Sequence, residues 1–437
     1  MRPPGPPPPP ARSPADDPAV IHFLVILSVA AAAVVSVPVL VFLAQCWASL
    51  WPPPARAAEA DPLARPRLAV LVPAHNEEAG LAAALASIRP QLAPGDRLVV
   101  VADNCSDDTA GVARACGAEC VERFDEEKRG KGHALAAGLD ALRGDKPAVV
   151  VVIDADCRVE PRALGRLAAA AASADAPVQC VYLLEPDPGA SPTSRLSNFA
   201  FLVKNLVRQR GMMVLGQPAL LQGTGMAFPW MVIDGTDLAT GHITEDLVIG
   251  LDMLERGHSP RFCDSARVYS AQASPDAEVA QRTRWEHGYL STMIARGPRL
   301  LLRGLGGRPE LIGTAADLTV PPLSLLLLIS AAAFGFTAVV AALALFFAHP
   351  LAWLAVGAAA WLALLGLGVA VTVPLICRIY ARRVMPVRTL FAAPFYALGK
   401  LPIYLNFLRG RETRWVRTER AGEGAAAPTR TKPGSLA

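Results

Sequence analysis

Several short segments carry side chains whose types and spacing suit chemistry on a charged substrate. Asp154-Ala155-Asp156 puts two carboxylates one residue apart, directly after the run Val149-Val150-Val151-Val152-Ile153. Glu77 ends the segment Pro73-Ala74-His75-Asn76-Glu77, and Asp103 opens Asp103-Asn104-Cys105-Ser106-Asp107-Asp108 after another apolar run. Carboxylates brought together in one crevice repel unless a divalent cation or a ligand donor stands between them. Lys131 lies between Gly130 and Gly132, and Gly223-Thr224-Gly225 is a hinged segment where backbone can approach a ligand closely. Gln281-Arg282-Thr283-Arg284-Trp285 offers two guanidinium groups and a large aromatic face.

Each piece also has an ordinary reading. Asp103 to Thr109 can be a turn in which Ser106 caps a helix. An Asp-x-Asp pair arises by chance in a chain of this size, and only its place at the end of a strand-like run raises it. Lys131 can be a solvated residue before a helix; it is no P-loop lysine, since the spaced upstream glycine and the following Ser or Thr are missing. In Thr244-Glu245-Asp246, Thr244 can cap a helix whose first turn favours the two acids. The Gln-x-x-Arg-Trp segment alone would pass for a helix surface.

The elements that must position these groups alternate. Residues 68–72, 97–102, 119–124 and 148–153 read as strands, and 78–88, 107–115 and 132–142 as helices. Such alternation predicts a mostly parallel α/β sheet, with ligands bound outside the carboxyl ends of its strands. Right-handed crossovers bring Glu77, Asp103, Asp154 and Asp156 to one edge of it.

The 437 residues are 52% hydrophobic and 18% charged, with a formal net charge of +4. A disordered chain and a strongly basic nucleic-acid binder are both excluded by that balance. The hydrophobicity is concentrated: residues 19–50 and 318–377 contain no Asp, Glu, Lys or Arg. At about 20 apolar residues per span, the first block predicts one membrane helix, a retained anchor, and the second predicts two, turning at Ala348, His349 and Pro350. Residues 1–18 read as a disordered Pro-rich tail, 60–317 as the water-soluble domain, and 409–437 as a basic and then flexible tail. Arg56, Arg65 and Arg67 follow the first span and Arg378, Arg382, Arg383 and Arg388 the third, which predicts a multi-pass protein of the inner cell membrane with its soluble domain in the cytoplasm. Residues 389–408 predict an amphipathic interface helix, and 195–210 and 298–303 are expected to touch the same membrane surface. The eight cysteines form no zinc pattern and are expected to be reduced.

In this order and spacing, Pro73-Ala-His-Asn-Glu77, Asp103, Gly-Lys131-Gly, Asp154-x-Asp156, Thr-Glu245-Asp246 and Gln281-x-x-Arg284-Trp285 resemble the membrane-bound family 2 glycosyltransferases. The nearest branch by resemblance holds the hyaluronan, chitin, cellulose and poly-N-acetylglucosamine synthases; ceramide glucosyltransferases share much of the pattern. The resemblance implies a Rossmann-like α/β GT-A domain and an inverting hexosyl transfer from a UDP-sugar. It implies that Glu77 and Asp103 contact uracil and ribose, that Lys131 lies near base and phosphates, and that Asp154 helps hold the nucleotide. Asp156 would bind Mg2+ or Mn2+, Asp246 beside Glu245 would be the general base, and Gln281, Arg284 and Trp285 would cover the diphosphate and the acceptor sugar.

The acceptor is expected to be a growing β-linked polysaccharide, with a single transfer to a membrane lipid as the alternative. Gln281-x-x-Arg284-Trp285 and Trp415-x-x-Thr418-x-Arg420 look like the polymer synthases, whereas only three spans are expected, so that polymer export would need them packed with the interface helix, or an accessory subunit. A non-catalytic membrane subunit of the same fold is disfavoured by the intact carboxylates, and a transporter by spans without charge. No nucleic-acid partner is expected.

Overall fold

The computed structural model describes residues 18–53, 65–239, 244–272 and 275–410. The Pro-rich tail, Arg56 and the segment containing Trp415, Thr418 and Arg420 lie outside the described residues.

Eight strands form one sheet: β1 (Leu68–Ala74), β2 (Arg97–Asp103), β3 (Glu119–Arg123), β4 (Val149–Val152), β5 (Cys157–Val159), β6 (Val178–Leu184), β7 (Met226–Pro229) and β8 (Arg261–Ser270), in the order β3-β2-β1-β4-β7-β6-β8-β5. The four strands expected from the first half are there, and β3-β2-β1-β4 is parallel. The second half makes the sheet mixed, because β7 runs antiparallel to β4 and β6, and β5 antiparallel to β8. Strand β4 is valine throughout because helices cover both of its faces. Along β1, Leu68, Val70 and Val72 pack with Leu81, Leu85 and Ile88 of one helix on one face. Ala69 and Leu71 pack on the other face with Leu135, Leu139 and Leu142. That alternation follows from the two-residue period of a strand.

Three helices are long and apolar enough to cross a membrane: Pro18–Ala48, Leu323–Phe346 and Ala352–Tyr380. They pack directly on one another. Val25, Val340, Ala344 and Ala355 fill one layer, and Ala32, Val39, Leu362 and Leu365 another. Trp361 Nε1 donates to Ser36 Oγ at 2.8 Å, and Trp47 Nε1 to Thr372 Oγ1 at 3.0 Å. Outward-facing Phe23, Val34, Phe346 and Trp353 are exposed, as residues meeting lipid would be.

Two expectations about the membrane surface need correction. The apolar face of residues 195–210 does not lie free for a bilayer: Leu196, Phe199 and Val203 are buried in the same cluster as the membrane helices. The protein's own spans supply the apolar partner. Residues 389–408 are three short pieces, Val387–Ala392, Ala393–Gly399 and Leu401–Arg409, and not one helix. Pro394 and Pro402 cause the breaks, since proline fits only the first turn of a helix. The amphipathic character survives: Phe391, Phe395 and Leu408 are exposed while Ala397, Tyr404 and Phe407 are buried. In 298–303, which lies within the helix Pro275–Leu305, Leu300 is buried but Leu301 and Leu302 are exposed.

Candidate active site

The strands stop at the same edge, and the chain there is held by side chain to backbone bonds. Asn76 and Asn104, just past β1 and β2, have φ of 55° and 53°, a left-handed conformation that asparagine tolerates. Asn76 Oδ1 accepts from Ser106 N at 2.7 Å, and His75 Nδ1 lies 2.7 Å from Asp103 O. Glu77 N donates to Thr109 Oγ1 at 2.8 Å. Ser106 is not the helix cap: Asp108 occupies that position, and Asp107 accepts from Thr109 N at 3.1 Å. Asp103 is buried and pairs with Arg123 Nη1 at 2.6 Å. Arg123 ends β3, opposite Asp103 in the parallel register.

Asp154 stands two residues past the end of β4. Its backbone N donates to Thr224 Oγ1 at 3.0 Å, and its carboxylate is ion-paired with Lys131 Nζ. Lys131 Nζ also donates to Gly223 O at 2.6 Å. Asp156 accepts from Ser270 Oγ at 3.0 Å on one oxygen and from Cys157 Sγ at 3.3 Å on the other. Ligand atoms of Asp154, Asp156 and Cys157 lie within 4.8 Å of one another. Burial pushes the Cys157 thiol well above its ordinary pKa. The two carboxylates are the hard ligands of the three, and hard oxygens fit a hard divalent cation better than a soft one.

Gly223-Thr224-Gly225 closes the site from behind. Gly225 has φ of 65°, and a Cβ there would lie 2.0 Å from Cys180 Sγ, so no other residue fits. A Cβ on Gly223 would stand 3.4 Å from Asp246 Oδ2 and 3.6 Å from Lys131 Nζ, which shows how closely those groups converge. Glu245 and Asp246 form the first turn of the helix Glu245–Glu255. Thr244 stands at its N-cap position as expected, but its side chain makes no capping bond; the hydroxyl lies 3.3 Å from Thr292 Oγ1. Burial, then the Asp246 charge, raises Glu245 to about 8. Burial also raises Asp246, against the pull of Lys131 and the helix backbone. For Lys131 burial acts downward, but Asp154, Glu245 and Asp246 together outweigh it and the pKa is raised.

Gln281, Arg284 and Trp285 share one face of the helix Pro275–Leu305. All ten residues singled out from the sequence line one cavity of about 370 Å³. The same cavity reaches Phe42 of the first membrane helix, Pro321, Pro322 and Leu323 at the entry of the second, and Tyr396 and Lys400. Sequence reasoning missed Arg123 and Ser270, whose partners come from distant segments. Thr224 and Arg282 stood within motifs read from the sequence, but their parts there were not legible: Thr224 holds the backbone of Asp154, and the Arg282 guanidinium lies over Phe201 at 5.1 Å and over Trp285 at 5.3 Å, so it braces the tryptophan from behind.

Residues 66–288 match the family model "Glycosyltransferase like family 2". The chain belongs to that family. Among curated relatives, this glycosyltransferase is 27% identical over 240 residues to the probable glycosyltransferase YdaM of Bacillus subtilis, covering 51% of this chain and 55% of that one. It is 32% identical over 139 residues to the low-salt glycan biosynthesis hexosyltransferase Agl6 of Haloferax volcanii, covering 30% and 32%. The chain thus spans about half or less of the length of the curated relatives it matches. Among solved structures, the mannosyltransferase PcManGT of Pyrobaculum calidifontis, in complex with GDP-Man and Mn2+, superposes with a TM-score of 0.52 at 20% identity. The superposition covers 89% of this glycosyltransferase and 99% of that chain, and establishes a shared GT-A fold. None of these likenesses singles out the hyaluronan, chitin or cellulose synthase branch.

Proposed function

We propose that this glycosyltransferase transfers a sugar from a nucleotide-sugar donor to a lipid acceptor held in the membrane, with inversion at the anomeric carbon. The observation that carries the reading is the single cavity that runs from Asp154 and Asp156 to the entry of the membrane helix Leu323–Phe346. A water-soluble acceptor has no need of that route. The three packed membrane helices favour a lipid over a polymer, since their shared core is filled by side chains such as Val25, Val340 and Leu362. A polysaccharide would have to part them or leave through an accessory subunit. The exposed arginines Arg378, Arg382 and Arg383 favour a cytoplasmic catalytic domain.

The residues divide the work as follows. Glu77 and Asp103 hold the base and ribose of the donor, Asp103 kept in place by Arg123. Asp154 and Asp156 are the ligands for Mg2+ or Mn2+, which when bound supplies positive charge for the diphosphate leaving group. Lys131, Gln281 and Arg284 face the diphosphate and add fixed cationic or donor groups there. Asp246, beside Glu245, takes the proton of the acceptor hydroxyl, which is a poor nucleophile until then. Trp285 offers its face to the acceptor. The deciding experiment presents membranes containing the protein with a panel of labelled nucleotide sugars, with and without Mg2+ or Mn2+. Metal-dependent label in an organic-extractable product is expected; label in a high-mass, glycosidase-sensitive polymer would select the synthase reading instead.

A further inference from the structure

We propose that the acceptor is a phosphate-bearing lipid, and that Lys204 is the cation that receives its phosphate. The inference rests on the lipid-acceptor reading and adds the chemistry of the headgroup. Lys204 lies in the π-helical turn Val203–Arg208 and lines the cavity. Such turns are rare and gather at functional sites. Lys204 makes no ion pair or hydrogen bond among the described residues; its Nζ lies 5.1 Å over the ring of Tyr289. Burial lowers its pKa against the pull of Asp246, and a partly desolvated cation gains from an anion bound beside it.

Its neighbours place it on the membrane side. Phe201, one turn earlier, meets Trp285 at 5.6 Å. Arg208, one turn later, donates to Gln45 of the first membrane helix at 2.8 Å. On the facing helix, Trp285 and Tyr289 are four residues apart, and Tyr289 OH donates to Val320 O at 3.0 Å, just before the second membrane helix. Lys204 therefore lies between the tryptophan platform and the point where the chain enters the membrane. Asp246 is flanked electrostatically by Lys131 on the donor side and Lys204 on this one. The other cations here are engaged: Arg208 with Asp317, Lys400 with Glu286, and Arg282 with Asn198 and the two rings. A hydroxyl at Asp246 with a phosphate at Lys204 uses both groups at once.

The test supplies the purified full chain with labelled donor in phosphatidylcholine vesicles carrying one acceptor each. The acceptors are phosphatidylglycerol, an isoprenoid diphosphate bearing N-acetylglucosamine, and diacylglycerol. Label is expected on a phosphate-bearing lipid well above that on diacylglycerol, and the arm that wins tells a glycerophospholipid from an isoprenoid diphosphate. Lys204→Met is expected to raise the KM for that lipid about tenfold or more, while donor KM and the unfolding temperature in detergent stay unchanged. The unchanged unfolding temperature also shows that the variant folds. Equal labelling of diacylglycerol overturns the inference but leaves the lipid reading, as does a Lys204→Met effect that is absent or confined to donor KM. Label found only in a high-mass polymer overturns both.

Discussion

At the sheet edge, the functional groups stand two to four residues past the ends of β1 and β4, or at the end of β2, and each is fixed by bonds within a few strands of itself. At the membrane end, the groups come from helix faces far apart in sequence: Gln45, Phe201, Lys204, Arg208, Trp285, Asp317 and Lys400. The first region is built by local backbone geometry, the second by packing of a catalytic domain on its own anchor. Donor chemistry is therefore fixed by the fold, and acceptor chemistry is open to change by substitution on a few helix faces.

The sharpest way to break this contrast is at the boundary between the regions. Asp246→Asn should lower kcat by about a thousandfold with donor affinity kept, as loss of a general base requires; titration calorimetry with the donor beside product assays separates the two. Next in size is the junction of domain and anchor. Arg208, Gln45 and Asp317 form a buried network, with Gln45 Nε2 to Asp317 Oδ1 and Arg208 Nη2 to Asp317 Oδ1 both at 2.6 Å. Asp317→Ala leaves the guanidinium buried and unpaired and should destabilise the protein by about 3 kcal/mol or more, seen as a lower unfolding temperature in detergent. A smaller effect, about tenfold on acceptor KM with donor KM unchanged, is expected for Trp285→Ala.

Legibility in the sequence follows the same division. Asp154-x-Asp156 and the first four strands could be read because a strand end and the turn after it are local events. Arg123 could not, since only the parallel register of β2 and β3 sets it against Asp103. The face of residues 195–210 was amphipathic as read, but sequence periodicity does not say whether lipid or protein covers an apolar stripe. Lys204 is legible only as part of the polar face of that stretch, because its position over Tyr289 depends on two helices meeting. The breaks at Pro394 and Pro402 are legible, since proline fits only the first turn of a helix.

A finer test concerns pH. Burial raises both Glu245 and Asp246, and the base works only when ionised, so activity should rise with pH through their raised range. The Asp246 charge helps to raise Glu245, so Glu245 is the later of the two to ionise. Glu245→Gln should therefore remove any step near pH 8 from the kcat profile and leave the acidic limb set by Asp246 in place. A step near pH 8 that survives Glu245→Gln would belong to another group. The smallest effect belongs to the exposed pair of Arg67 and Asp145, 2.7 Å apart on the domain surface. Arg67→Ala should change stability by no more than about 1 kcal/mol and leave both KM values alone.

The junction of Arg208 with Gln45 and Asp317 bears on more than stability. Arg208 joins the catalytic domain to the helix Pro18–Ala48 through Gln45 and to the approach of the helix Leu323–Phe346 through Asp317. A tethered enzyme on a flexible stalk samples many heights above a bilayer, which such a junction prevents. On the proposed reading of spanning helices and a lipid acceptor, Asp246 is held at a set altitude over the lipid, and the anchor works as a ruler. A hydroxyl would then be chosen partly by how far its own lipid lifts it from the membrane plane, so lengthening or shortening a headgroup by one unit should count as much as changing its chemistry.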